Sequence, residues 1–191
     1  MLWLGMGFTQ RCRSGDLVTA KGCRRLVMRD FASSDNEFDG LACYQTEDSR
    51  FTGLDLRRNK SAGISTDQDF DHNTISHVRM FNNGSHGIFM RNSSHNSFQH
   101  LQVKSNGRAA IFVDPVDKRR HTGSVGNHFT TVVVAACGGP GFQVNATSCK
   151  NNTLTHSLLE NNTAGVREAM PRLVLQENVV VKGSAARAGS G

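Results

Sequence analysis

The sequence is short of the residues that usually fill a thick globular core. It holds one tryptophan and one tyrosine in 191 residues, and aromatics amount to 7%. Hydrophobic residues reach 37%, which suits a thin core better than a deep one. No apolar run approaches the ~20 residues that a membrane-spanning helix needs. The apolar opening, Met1 to Phe8, lacks a basic leader and is too short for a signal core; the chain can equally begin inside a longer coil. Three prolines against 19 glycines suit repeated tight turns. The five cysteines form no C-x-x-C pair, so zinc spacing is absent and no disulfide is assigned.

Negative charge is also scarce. Asp and Glu number 16 against 22 Lys and Arg, giving a net charge of +6 and a pI near 9.4. Such a balance fits a nucleic acid or an acidic polymer. The basic residues are scattered and form no nucleic-acid-binding motif. A polyanionic polysaccharide is therefore the expected partner, with no nucleic acid and no membrane.

What the chain does have is a repeat. A small residue opens each unit at Gly40, Gly63, Gly87, Ala110, Gly141 and Gly165, at spacings of 23, 24, 23, 31 and 24. A fixed period of this length signals a solenoid. One residue after the opener stand Leu41, Ile64, Ile88, Ile111, Phe142 and Val166. Later in the unit Phe51, Ile75, Phe98, Phe129 and Leu154 align, each starting a triplet of the form Phe-x-x-Leu-x-Val; Ser157 breaks the second column. Asparagines fill two further columns, Asn73, Asn96, Asn127 and Asn152, and Asn59, Asn83, Asn106 and Asn162, with Cys137 in one Asn place. Asn tolerates left-handed backbone at corners, satisfies turn amides and forms ladders when stacked. No unit could bury its apolar face alone, so coils must stack, with parallel strands ~4.8 Å apart and right-handed connections.

These Gly-Ile strands, Asn columns and Phe-x-x-Leu-x-Val triplets resemble the right-handed parallel β-helix, or pectin-lyase-like, family over roughly Gly15 to Val166. The resemblance implies an all-β, right-handed parallel β-helix of about six coils. The expected layout is an irregular lead over 1–14, the β-helix over 15–182 with an inserted loop at 114–126, and a disordered tail at 183–191. Open coil ends expose strand edges and invite end-to-end contact. The fold hosts many functions. Pectate lyase-like enzymes use acidic residues for calcium and a basic residue to take the proton beside a uronate carboxylate; Asp67, Asp69 and Asp71 with Arg91 resemble that set in residue type. The polygalacturonase motifs are absent. Of the Asp-Pro-His-Asp motif of alginate epimerases, Asp114-Pro115 matches only the beginning.

The columns also place the outward residues. Two after the opener come Ala42, Ser65, Phe89, Phe112 and Gln143; four after come Tyr44, Asp67, Arg91, Asp114 and Asn145. Phe89 and Phe112 either form a contact surface for sugar rings or are covered by the inserted loop. Asp67 and Arg91 should pair, as part of a site or as a surface salt bridge. Asp67, Asp69 and Asp71, if extended, share one side and could hold Ca²⁺; otherwise they form a solvated acidic turn. Lys118, Arg119 and Arg120 are either a clamp for carboxylate or sulfate or a solvated loop. His77 and His100 share a column with His156, and two stacked imidazoles suit a transition metal unless they are simply turn residues.

The expected function is an extracellular or periplasmic protein acting on an acidic polysaccharide, as a uronate lyase or C5-epimerase. Arg91, Asp67 and Asp114 would be catalytic. Tyr44, Phe89, Phe112, Asn145, Lys118, Arg119 and Arg120 would contact the sugar, and Asp67, Asp69 and Asp71 would hold Ca²⁺. The rival is a non-catalytic glycan-binding or structural β-helix module, a piece of a longer protein.

Overall fold

A computed structural model describes residues 3–5, 18–115, 123–168 and 173–182. The described residues contain nineteen strands and no helix. All of the strand pairings are parallel. Seven strands form one sheet and twelve the other, and the chain winds between them as a solenoid of about six turns. Trp3–Gly5, inside the stretch expected to be an irregular lead, pairs with Val27–Arg29, because the parallel ladder extends one rung further. The rest of that lead, and residues 183–191, lie outside the described residues.

The repeat columns are the registers of the ladder. Ile88 lies between Ile64 and Ile111, and Ile111 is followed by Phe142. On the other sheet Phe98 sits between Ile75 and Phe129. The Phe-x-x-Leu-x-Val spacing has a backbone cause. Gly53, His77, His100 and Thr131 are left-handed, with φ of 69, 54, 53 and 54°. Each bends its strand after the second residue, so that three apolar side chains all point inward. Phe98 and Phe129 stack inside at 4.6 Å, and Phe142 meets Phe129 edge-on at 5.0 Å. The opener is small because a Cβ on Gly87 would lie 2.2 Å from Val103 Cγ1 and 2.7 Å from the Ala110 carbonyl.

Both asparagine columns are ladders. Asn73 donates through Nδ2 to Asn96 Oδ1 at 3.1 Å, Asn96 to Asn127 at 3.0 Å, and Asn127 to Asn152 at 2.9 Å. The second ladder starts at Asn36 and runs through Asn59 and Asn83 to Asn106. The expectation that these asparagines are themselves left-handed is corrected. The left-handed residue is the one before, as in Arg58, His72, Asn82, His95 and Ser105. That residue turns the chain and leaves the ladder asparagine free to aim its amide along the stack. Ser157, which breaks the apolar column, is buried and accepts from the Val132 amide through Oγ at 3.0 Å.

The 31-residue coil carries the insertion. Asp114 ends a strand, and the coil has resumed by Ser124 and Val125, which bond to Ser93 and Ser94. The four described cysteines, Cys23, Cys43, Cys137 and Cys149, are free. Among the described residues no helix is long and apolar enough to cross a membrane.

Candidate functional site: a cleft along the seven-stranded sheet

The outward face of the seven-stranded sheet is organised by register. Ser65, Phe89, Phe112 and Gln143 are successive partners. Tyr44 pairs with Asp67, and Arg91 with Asp114. Asn145 Nδ2 donates to Asp114 Oδ1 at 3.1 Å. The row Tyr44–Asp67–Arg91–Asp114–Asn145 thus runs across five coils.

A cleft of about 210 Å³ opens beside this row, lined by Tyr44, Ser65, Asp67, His86, Phe89, Arg91 and Arg108 among others. It continues into a shallower trough of about 420 Å³ that shares His86, Phe89 and Arg108 and reaches Phe112, Asp114 and Gln143. Arg91 Nη2 donates to Asp67 Oδ2 at 2.5 Å. Asp67 is only 4% exposed while the Arg91 side chain is 39% exposed, so the pair joins a buried carboxylate to a guanidinium that reaches the surface. The Arg91 guanidinium also lies over the Phe89 ring, 5.2 Å from its centre. Two residues of the lining each hold a buried polar atom with no hydrogen-bond partner among the described residues: Ser65 its Oγ and Arg91 its Nε.

Phe89 and Phe112 stack in parallel, 5.5 Å apart. Both are half-buried rather than fully solvent-facing. His86 completes a three-ring platform, 4.6 Å from Phe112 and 5.7 Å from Phe89. Its Nδ1 lies 3.2 Å from the Ala109 carbonyl. Burial holds the imidazole neutral, pushing its pKa down to about 4.

A family model, described as a right-handed β-helix region, matches residues 10–170. The chain belongs to the right-handed β-helix family. Similar solved structures include the periplasmic alginate epimerase AlgG, at 16% identity over 85% of this chain and 46% of that one, with a TM-score of 0.63. An alginate lyase from Paenibacillus sp. matches at 10% identity over 88% and 75%, with a TM-score of 0.45. The A-module of the Azotobacter vinelandii mannuronan C-5 epimerase AlgE4 matches at 11% over 88% and 53%, with a TM-score of 0.39. Likeness at these identities is a likeness of fold. The chain spans about half the length of the AlgG epimerase. No curated protein matches it.

On this β-helix the three aspartates expected to hold Ca²⁺ do not converge. Gln68 and Asp69 are both left-handed, with φ of 52 and 66°, so the segment turns instead of extending. Asp67 stays buried at Arg91. Asp69 is exposed and accepts from Asn92, and Asp71 accepts from the Ser94 amide at 2.6 Å. Phe70, between them, points into the core. Among the described residues no group of three or more His, Cys, Asp or Glu could hold a metal ion. Lys118, Arg119 and Arg120 lie outside the described residues.

The β-helix also brings in a residue that column reading passes over. His86 stands just before its opener, where other coils carry Asp39, Ala62, Ala109, Pro140 and Ala164. A lone imidazole in a mostly small-residue column is the signal that finds it. Arg108 enters the cleft from the same corner one coil on.

Proposed function

We propose that the cleft binds an acidic polysaccharide through a uronate carboxylate, and that the chain acts on the sugar's C5–H bond outside the cytoplasm. The observation that carries this reading is that Ser65 and Arg91 both line one cleft and each holds a buried atom, Oγ and Nε, with no hydrogen-bond partner among the described residues. A buried donor left unpaired costs ~1–3 kcal/mol. A carboxylate accepts from both a hydroxyl and a guanidinium edge, and so relieves both at once.

The neighbouring groups fit the rest of such a sugar. The Phe89–Phe112–His86 platform offers an apolar face for a pyranose ring. Arg91, oriented by Asp67, donates hydrogen bonds to the carboxylate and so favours loss of the adjacent proton. Arg91 is not itself the base, because a guanidinium offers hydrogen-bond donors and no acceptor. The proton acceptor is His86, which burial keeps uncharged at neutral pH. Reprotonation from the opposite face would give epimerisation; expulsion of the C4 oxygen would give lyase cleavage.

The β-helix fold shared with AlgG, an alginate epimerase by name, makes alginate the first polymer to try. Oligouronates are titrated into the chain by calorimetry, and bound samples are held in D₂O while deuterium at C5 is followed by NMR. Binding with exchange is expected. An absence of binding to alginate and pectate alike overturns the reading. Binding without exchange or cleavage leaves a non-catalytic glycan module and removes the role of His86.

A further inference from the structure

The left-handed column of the twelve-stranded sheet carries a second grouping, interleaved in sequence with the cleft row but on the other sheet. In coil order it reads Asp30, Gly53, His77, His100, Thr131, His156 and Glu177, each with a φ between 50 and 69°. His156 is engaged by Glu177 at 2.6 Å. His77 and His100 face each other across adjacent coils, with ring centres 4.8 Å apart and planes inclined by 28°. Both side chains belong to exposed residues. They border an open hollow of about 340 Å³ that Gly53, Arg79 and Gln102 also line.

We infer that His77 and His100 form a two-imidazole site for a divalent transition metal. The geometry is the reason. A metal ~2.1 Å from a ring nitrogen lies about 3.2 Å from that ring's centre. Two such ligands subtending about 90–110° at one metal put their ring centres roughly 4.5–5.3 Å apart. The rings stack at 4.8 Å with planes only 28° apart, so their in-plane lone pairs do not converge as they stand; both imidazoles must turn about their side-chain bonds, and the one-coil separation of their backbones then lets a nitrogen of each reach a shared ion. The coil spacing fixes the two Cα positions, and no backbone change is needed. Arg79, the nearby cation, is tied to Asp55 at 3.3 Å, but Arg57 shares that carboxylate at 3.2 Å; one positive charge is left over beside the hollow, and the ion is held by the two imidazoles alone.

The other stacked pair serves as a contrast. His72 and His95 stand 5.2 Å apart, within the same range, but Gly126 packs against His95. A Cβ there would lie 2.8 Å from the ring's Nδ1. The His77–His100 pair has the hollow beside it instead. Imidazole favours Cu²⁺, Ni²⁺ and Zn²⁺, and the remaining coordination positions are left to water or to a small oxygen or nitrogen ligand.

Cu²⁺ is titrated into the full chain and followed by electron paramagnetic resonance. One strongly bound equivalent with coupling to two nitrogens is expected. Asn replaces each histidine, because Asn tolerates the left-handed backbone; circular dichroism checks the fold. His77→Asn and His100→Asn should each weaken binding by ~10-fold or more, since even outer-shell changes cost a metal site about 10–100-fold. His72→Asn should leave it unchanged. Coupling to a single nitrogen, or an unaltered affinity in folded His77→Asn, overturns the assignment.

Discussion

Arg91 and Asp67 meet across one coil boundary, and the meeting occupies only one arm of the guanidinium. Nη2 donates to Asp67 Oδ2 at 2.5 Å while the buried Nε has no partner among the described residues. Asp67 is thereby an orienting group: it fixes the plane of Arg91 and leaves one edge for a ligand. Arg91→Ala should weaken oligouronate binding by ~10-fold or more, the ~1.4 kcal/mol expected for a charge-assisted bond. Asp67→Asn should weaken it less, and the two changes should be non-additive because they act on one unit. Calorimetric titration of the four proteins checks this. Additive losses would show that Asp67 does not act through Arg91.

The ring platform makes a separate prediction. Phe112 stacks on Phe89 and on His86, and it is half-buried. Phe112→Ala removes one face of a sugar contact and should reduce affinity by about 1 kcal/mol, roughly five-fold in Kd. The proton-exchange rate at saturation should change little, since the carboxylate anchor is intact. A fall in kcat with unchanged affinity would move Phe112 from binding to positioning His86.

The asparagine ladders contribute to stability alongside the apolar core. Asn96 is fully buried; its Oδ1 accepts two bonds from Asn73, and its Nδ2 donates to Phe70 and Asn127. Asn96→Ala orphans several buried groups and should destabilise the chain by about 3 kcal/mol or more, read as a lower denaturant midpoint. Cys137 is the weak rung, with its sulfur 4.0 Å from Asn106 Nδ2. Cys137→Asn should join Asn106 to Asn162 and gain about 1 kcal/mol. A loss instead would mean that the column narrows there.

Register explains what could be read from the residues in advance. A near-constant coil length means that equal offsets from the opener become neighbours, so the Asp67–Arg91 and Phe89–Phe112 contacts follow from counting. Local backbone geometry is less legible. Gln68 and Asp69 adopt left-handed conformations that no alternation pattern announces, and they scatter the aspartates. His86 is missed for a different reason. It precedes the opener, in a column where small residues dominate, and counting forward from glycine never meets it.

Acid sensitivity follows from His86, whose burial makes the fold less stable as pH falls. Unfolded, the imidazole titrates near 6.5; folded, burial brings it down to about 4. Between these values the unfolded chain binds the extra proton, so acid favours unfolding. The stability that goes with a neutral His86 is complete above about pH 6.5 and drains away as pH falls towards 4, by up to about 3 kcal/mol. Asp71 works the other way, because burial raises its carboxyl pKa: its proton is held more tightly in the fold, and stability falls as pH rises through the carboxylate range. The histidine's share is therefore the difference between the wild type and His86→Gln in denaturation midpoints measured from pH 7 to 4. The wild type should lose the larger amount, and the same variant should bind oligouronates while failing to exchange C5–H. Parallel stability curves for the two proteins would mean that His86 takes up its proton without unfolding the coil.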